Sequence, residues 1–211
     1  MDPPAGGLPT ARESPLAPLL AALRDLAAWL QETGARGVII GGVAASLLGR
    51  PRATRDVDAL VLLGEGEWDS FLREGQRYGF GPRLPDALAF ARQARVLLVR
   101  HEPSQIEVDI ALAALLFEEE AIAGAVEVTL AGVSFRVVTP EDLIIMKAVA
   151  QRPRDLADIA GVLDANPDLD VARIRRWVGE FAQALDSPSI VEDLEQMLDR
   201  PGRGATPAGQ A

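Results

Sequence analysis

Three aspartates in strand-like stretches are the residues of this chain whose types and spacing could do chemistry. Asp56 and Asp58 lead into the apolar run 59–63, and Asp109 lies inside the stretch 105–110. Residues i and i+2 of a strand point to the same side, so Asp56 and Asp58 should present their carboxylates together. Such a pair stays ionised only when a cation lies between the two groups, and its hard oxygen ligands suit Mg²⁺.

A third carboxylate from a neighbouring strand would complete a site for two metal ions. We therefore predict that Asp56, Asp58 and Asp109 are metal ligands. The alternative is that Asp-x-Asp is only the solvated start of a strand. The glycines upstream and Asp109 downstream favour the metal site.

Gly41 and Gly42 follow the apolar run 38–40 and end 14 residues before Asp56. Glycine after a buried strand is often simple turn chemistry. Here, however, residues 43–49 predict a short helix, and the N–H groups at its start would bind an anion beside the glycines. The pattern G-x-G-x-x-G and the Walker motif are both missing, which disfavours a dinucleotide site.

Lys147 is the only lysine of the chain, beside 20 arginines. A chain that uses arginine for general positive charge needs lysine where a compact ammonium group must fit, for example against a phosphate. The alternative is an incidental lysine on a helix surface. Leu143, Ile144 and Met146 make its surroundings apolar, which favours the functional position.

The elements around these residues can be predicted from local patterns. Leucines between residues 16 and 30 follow a helical spacing, with Ser14 as the N-cap, Pro15 at the first helical position and Gly34 at the end. Thr139 to Asp142 is a capping signature for the helix of Lys147. Strands are predicted at 37–40, 56–63, 94–100 and 105–112, a hairpin at 126–130 and 133–138, and helices at 153–165, 170–185 and 190–199.

This order of elements predicts an α+β fold. We expect an α/β core at 14–138 and a C-terminal helical region at 139–199, which would bring Lys147, Asp155 and Asp158 over a nucleotide. Residues 1–13 and 200–211 are rich in Pro, Gly and Ala and are predicted to be disordered.

Composition excludes several classes of protein. The absence of cysteine excludes disulfides and zinc–thiolate sites. The apolar runs are shorter than a membrane span and the start lacks a signal peptide, so we expect a cytoplasmic protein without a membrane partner. A net charge of −10 argues against general electrostatic capture of nucleic acid. Arg50, Arg52 and Arg55 nevertheless cluster beside the aspartates.

The stretch from Gly41 to Asp58 resembles the opening signature of the minimal nucleotidyltransferases of the polymerase-beta-like superfamily. Their pattern is Gly-Gly or Gly-Ser, a short helix, Asp-x-Asp and a later third Asp. The segment from Arg52 to Asp58 is most similar to the AbiEii-like toxin branch and to relatives that modify antibiotics. A second block, from Lys147 to Asp158, is similar to a Lys-x-x-Ala-x-Arg-x-Lys-Asp-x-x-Asp segment of that branch. Gly42 stands where many members have serine, so a hydroxyl contact to phosphate would be missing.

The resemblance implies a nucleotidyltransferase-like mixed sheet flanked by helices. It also implies transfer of a nucleoside monophosphate from an NTP to an acceptor hydroxyl with two Mg²⁺ ions. The catalytic residues that it implies are Asp56, Asp58, Asp109, Lys147 and Asp158. The nucleotide-binding residues that it implies are Gly41, Gly42, Ser46, Arg55 and Lys147. Asp155 could either meet the substrate or pair with Arg152 or Arg154.

The acceptor stays open at this point. Similarity to toxins implies RNA, such as a tRNA end, and a cognate antitoxin as a partner in a toxin–antitoxin pair. Similarity to antibiotic-modifying relatives implies an aminoglycoside or a lincosamide-like drug, and the acidic chain suits a polycationic drug. A third alternative is a non-catalytic nucleotide-binding protein of the same fold, against which the three aspartates and Lys147 argue.

Overall fold

The computed structural model describes residues 15–200. The predicted N-cap Ser14 and the segments 1–13 and 200–211, which were predicted to be disordered, lie outside the described residues except for Arg200. The helices are α1 (Ala17–Thr33), α2 (Gly41–Leu48), α3 (Trp68–Gly75), α4 (Ala87–Ala94), α5 (Leu116–Gly124), α6 (Pro140–Ala150), α7 (Pro153–Ala165), α8 (Val171–Ala184) and α9 (Ser189–Leu198). The strands are β1 (Arg36–Ile40), β2 (Asp56–Leu62), β3 (Phe80–Pro82), β4 (Val96–His101), β5 (Ile106–Leu112), β6 (Val126–Leu130) and β7 (Val133–Val137).

The strands form one mixed sheet in the order β3-β4-β5-β2-β1-β7-β6. Strand β2 runs parallel to β5 and antiparallel to β1, and β1 in turn runs parallel to β7. Helices flank the sheet, and four more helices follow its last strand. The predicted α+β fold with a mixed sheet is therefore confirmed.

The two faces of the sheet can be assigned from Gly37 on β1. A Cβ atom at Gly37 would lie 2.9 Å from both δ carbons of Leu30, so this side of β1 faces α1. Val61 on β2 pairs with Gly37 and its side chain reaches the same place. Because side chains alternate along a strand, Asp56 and Asp58 point to the face opposite α1.

Helices α2, α6 and α7 contact one another, and α2 also contacts β2. Helix α6 begins as predicted, because the hydroxyl of Thr139 accepts a hydrogen bond from the backbone N–H of Asp142 at 3.2 Å. Its residues Leu143 and Ile144 are buried in the core that the sheet shares with the last helices. Lys147 is thereby held on the inner side of α6.

Two parts of the fold differ from the local expectations. Helix α2 begins at Gly41, so the glycines form its first turn rather than a loop before it. Residues 64–93, for which no element was predicted, contain α3, β3 and most of α4, and α4 extends to Ala94, where the strand 94–100 was predicted to begin. Their aromatic side chains pack against Trp29, whose ring lies 4.1 Å from that of Phe71 and 5.2 Å from that of Phe80. Among the described residues, none of the helices has the length and apolar character that crossing a membrane requires.

Candidate active site

Four carboxylates meet on the sheet face opposite α1. In the parallel pair of β2 and β5, Asp58 lies directly beside Asp109 and Asp56 lies beside Glu107. The predicted convergence of Asp56, Asp58 and Asp109 is thus present in the strand register. Glu107 was missed, although it stands two residues before Asp109 and the alternation that links Asp56 to Asp58 could have found it.

The environment of Asp58 and Asp109 disfavours their ionised forms. Burial raises the pKa of Asp58, and the nearby charge of Asp56 raises it further. The pKa of Asp109 is also raised, first by burial and then by the charges of Asp58 and Asp56, although Arg83 opposes the shift. Negative charge is therefore in excess here, and a bound cation would relieve it.

Gly41 and Gly42 bring the start of α2 against Asp58. Gly41 has a φ of +62°, and a Cβ atom there would overlap the carboxylate of Asp58. The N–H of Gly42 donates to Oδ2 of Asp58 at 3.4 Å. The sequence predicted that this helix start would bind phosphate, whereas in this structure it contacts one of the predicted metal ligands.

Lys147 lies in a buried cluster with Asp155 and Asp158. Its side chain is 8% exposed, and Nζ donates to Asp155 at 2.9 Å and to Asp158 at 2.7 Å. Asp158 also accepts two hydrogen bonds from the guanidinium of Arg52, at 2.9 and 3.0 Å. Burial alone would raise the pKa of Asp158, but the hydrogen bonds from Arg52 and Lys147 prevail and lower it.

Asp155 is a structural partner in this cluster. Besides Lys147, it accepts a hydrogen bond from the backbone N–H of Arg152 at 3.2 Å and so caps α7. The guanidinium of Arg152 also forms an ion pair with Asp155 at 3.4 Å. Of the two alternatives for Asp155, contact with the substrate or pairing with an arginine, the pairing with Arg152 is therefore present.

The segment between α2 and β2 is anchored at both ends. The hydroxyl of Ser46, a predicted nucleotide ligand, lies 3.0 Å from the carbonyl oxygens of Gly42 and Arg52. Thr54 donates to Oδ1 of Asp56 at 2.8 Å. Arg55 is exposed and forms no ion pair within residues 15–200, so its guanidinium is available to a ligand.

Arg83 is a residue of this site that sequence reasoning missed. It follows β3 and forms ion pairs with Asp109 and with Glu107, the latter at 2.5 Å. Arg100 on β4 also binds Glu107, at 3.1 Å. No local pattern around Arg83 marks it, because its partners lie on a strand that is distant in sequence.

The donor set suits a hard cation, but the side chains do not enclose one as they stand. Within residues 15–200, no three acidic, His or Cys side chains are grouped tightly enough to hold a metal. Asp58 turns toward Gly42 and Asp109 toward Arg83. Carboxylate oxygens are nevertheless the ligands that suit Mg²⁺, and both side chains would have to turn to hold an ion.

The model of a family described as nucleotidyl transferase of unknown function (DUF2204) matches residues 92–196. The match contains Asp109, Lys147 and Asp158, whereas the segment from Gly41 to Asp58 lies before it. No curated protein matches the chain.

Two solved structures share the fold. An antigenic nucleotidyltransferase-like protein from Paracoccidioides brasiliensis has a TM-score of 0.50 and 17% identity, with 83% of this chain and 92% of that chain covered. The antibiotic-resistance factor ANT(2'')-Ia has a TM-score of 0.56 and 15% identity, with 84% of this chain and 97% of that chain covered. The family match supports a nucleotidyltransferase, and the mixed sheet that carries the aspartates on β2 and β5 agrees with the fold that the polymerase-beta-like resemblance of the sequence implies.

Proposed function

We propose that this protein transfers a nucleoside monophosphate from an NTP to an acceptor hydroxyl and that Asp56, Asp58 and Asp109 hold the Mg²⁺ ions. The register that puts Asp58 beside Asp109, with Asp56 two residues away on the same face, is the observation that carries the proposal. Bound Mg²⁺ would neutralise the phosphate oxygens and the pyrophosphate leaving group.

Asp109 is the proposed acceptor-side residue. Burial raises the pKa of its carboxyl, which makes the ionised group a stronger base for a hydroxyl proton. Its position on β5, one strand away from Asp56 and Asp58, leaves the β2 side for the nucleotide. Asp109 would therefore orient the acceptor hydroxyl and take its proton.

Arg55 is the proposed first contact of the triphosphate, because it is exposed and has no competing ion pair among the described residues. The first turn of α2, at Gly41 and Gly42, would supply N–H groups once Asp58 has turned toward the metal. The ammonium group of Lys147 is hydrogen-bonded to Asp155 and Asp158. It can therefore contact a phosphate only if the phosphate replaces one of these carboxylates. Asp158 would act by positioning Lys147 and Arg52.

Metal binding can be tested before the acceptor is known. Mg²⁺–NTP should raise the Tm of the wild type, and Asp56→Asn/Asp58→Asn should abolish most of that shift. Asp69→Asn is a matched control, because Asp69 is an exposed aspartate of α3 that pairs only with Arg73. An equal shift in the double variant would remove Asp56 and Asp58 from the list of ligands.

Transfer is tested with each α-labelled NTP, Mg²⁺, and either total RNA or a panel of aminoglycosides and lincosamides. Label on RNA would favour a toxin with a cognate antitoxin, as suggested by the similarity of the segment from Arg52 to Asp58 to the AbiEii-like toxin branch. Label on a drug would favour antibiotic modification; the structural neighbour ANT(2'')-Ia is described as an antibiotic-resistance factor. Binding of NTP without any transfer would favour a non-catalytic protein.

Asp109→Asn separates binding from chemistry in the same assay. We expect it to keep most of the nucleotide affinity and to lose at least about 10²-fold in transfer, the low end for a general base. Near-normal turnover in this variant would refute the role proposed for Asp109.

A further inference from the structure

Arg83 lies between two carboxylates of the same strand. One of its terminal nitrogens donates to Oδ1 of Asp109 and the other donates to Oε2 of Glu107 at 2.5 Å. Glu107 and Asp109 are residues i and i+2 of β5 and so point to the same side. A single guanidinium therefore bridges a predicted metal ligand and a carboxylate that is not one.

The position of Arg83 is well defined. Its side chain is 18% exposed, and its backbone N–H donates to the carbonyl of Leu98 at 2.9 Å, next to the β3–β4 pairing. Its Nε is buried and has no hydrogen-bond partner within residues 15–200, so the two carboxylates are the groups that orient the guanidinium.

Glu107 and Asp109 are compensated unequally. Glu107 binds both Arg83 and Arg100. Asp109 forms an ion pair with Arg83 and with no other cation of the described residues. If Arg83 leaves Asp109, it can stay paired with Glu107. Its guanidinium is then not left as an unpaired charge in a partly buried position, which would be energetically unfavourable.

We propose that Arg83 is a positioning residue that acts as the internal counter-ion of Asp109 in the metal-free protein and releases Asp109 when a divalent cation binds. The guanidinium and the metal compete for the negative charge of the same carboxylate, whose Oδ1 the guanidinium holds in the metal-free protein. Glu107 retains Arg83 during the exchange. The inference rests on the proposed function in one respect, the role of Asp109 as a metal ligand.

The consequence is that Arg83 lowers the affinity of the nucleotide-free protein for metal. We therefore expect Arg83→Gln to bind Mn²⁺ more tightly than the wild type, roughly tenfold, because one competing charge at hydrogen-bond distance is lost. A purely structural role of Arg83 would instead leave metal affinity unchanged or reduce it.

The experiment is a titration of Mn²⁺ into the nucleotide-free protein at neutral pH, with unbound Mn²⁺ measured by electron paramagnetic resonance. Arg100→Gln is the matched control, because Arg100 binds Glu107 but not Asp109. Its affinity should stay within about twofold of the wild type, since the charge it removes lies farther from the metal ligand. In an Asp109→Asn background, Arg83→Gln should have no effect.

Circular dichroism establishes that each variant is folded. If Arg83→Gln does not fold, Arg83→Lys replaces it, since a single ammonium cannot bridge both carboxylates and affinity should rise by a smaller factor. The inference is overturned if folded Arg83→Gln binds Mn²⁺ no more tightly than the wild type, if Arg100→Gln gains as much, or if the gain persists without Asp109. If Mn²⁺ binds but its affinity does not depend on Arg83, this inference alone is overturned. If no variant binds Mn²⁺, the metal role of the aspartates is overturned as well.

Discussion

Replacing Gly41 with alanine should displace the carboxylate of Asp58, because the new methyl group and this carboxylate would occupy the same space. The added Cβ would overlap Oδ2 of Asp58 and would lie 2.5 Å from its Cγ and 2.7 Å from its Cβ. Gly41 also has a φ of +62°, which an alanine adopts only under strain. The substitution therefore acts on both the backbone and the predicted metal ligand.

The magnitude follows from these two effects. A left-handed backbone costs an alanine about 1–2 kcal/mol, and an Asp58 side chain forced away from its preferred rotamer adds roughly 0.5–1.5 kcal/mol. The free energy of unfolding should fall by about 1.5–3.5 kcal/mol in total, which lowers the Tm of a domain of this size by roughly 3–14 °C. Mn²⁺ affinity should fall as well, because the new methyl group would also lie too close to the Cβ of Asp58, so a turn of the carboxylate toward the metal does not relieve the overlap.

Gly34→Ala separates strain from overlap. Gly34 ends α1 with a φ of +65°, and a Cβ there would have nothing within 4 Å. It should lose only the backbone part of the stability and none of the Mn²⁺ affinity. Urea unfolding followed by circular dichroism and the Mn²⁺ titration measure the two quantities. If Gly41→Ala is no less stable than Gly34→Ala and binds Mn²⁺ normally, the close approach of Gly41 to Asp58 is not a feature of the protein in solution.

Three further predictions concern charged groups. Asp58→Asn should raise the Tm of the metal-free protein at neutral pH, because the raised pKa of Asp58 means that its ionised form destabilises the folded state. This gain should vanish below the pKa of the unfolded carboxyl. Asp158→Asn should lower the Tm, because the lowered pKa of Asp158 stabilises the folded state above the unfolded pKa; this stabilisation is lost as the pH falls through the folded pKa. Thermal unfolding measured across pH tests the Asp58 and Asp158 variants together. Equal behaviour of the two variants would contradict the opposite pKa shifts assigned to these residues. An amine-selective reagent should modify Lys147 of the folded protein much more slowly than the N-terminal amine, because Lys147 is buried and holds two carboxylates; rapid labelling of Lys147 in mass spectrometry would refute its placement.

Local patterns were sufficient wherever the physical cause lies within a few residues. Thr139 caps α6 through the N–H of Asp142, three residues away, and Gly34 ends α1 with its own positive φ. The hairpin of β6 and β7 turns at Ala131 and Gly132, both with positive φ, as predicted. The common direction of Asp56 and Asp58 also follows from strand geometry alone.

The segment from residue 64 to 94 shows why other parts could not be predicted. Its elements are short, and Phe71 and Phe80 are fixed by stacking on Trp29 of α1 rather than by a local periodicity. The indole N–H of Trp29 donates to the carbonyl of Phe71 at 3.1 Å, a contact between residues 42 positions apart. Such elements are stabilised by tertiary packing, which outweighs weak local propensity.

The sequence by itself therefore indicated the residues that we propose carry the chemistry, namely the glycines, the three aspartates and the single lysine. Only the tertiary structure decided their partners in the metal-free protein: Arg83 on Asp109, the start of α2 on Asp58, and two aspartates on Lys147. The physical reason is that ion pairs form between charges that the fold brings together, and Arg52 and Asp158 meet across 106 positions of the chain. No periodicity or cap within either segment encodes such a contact.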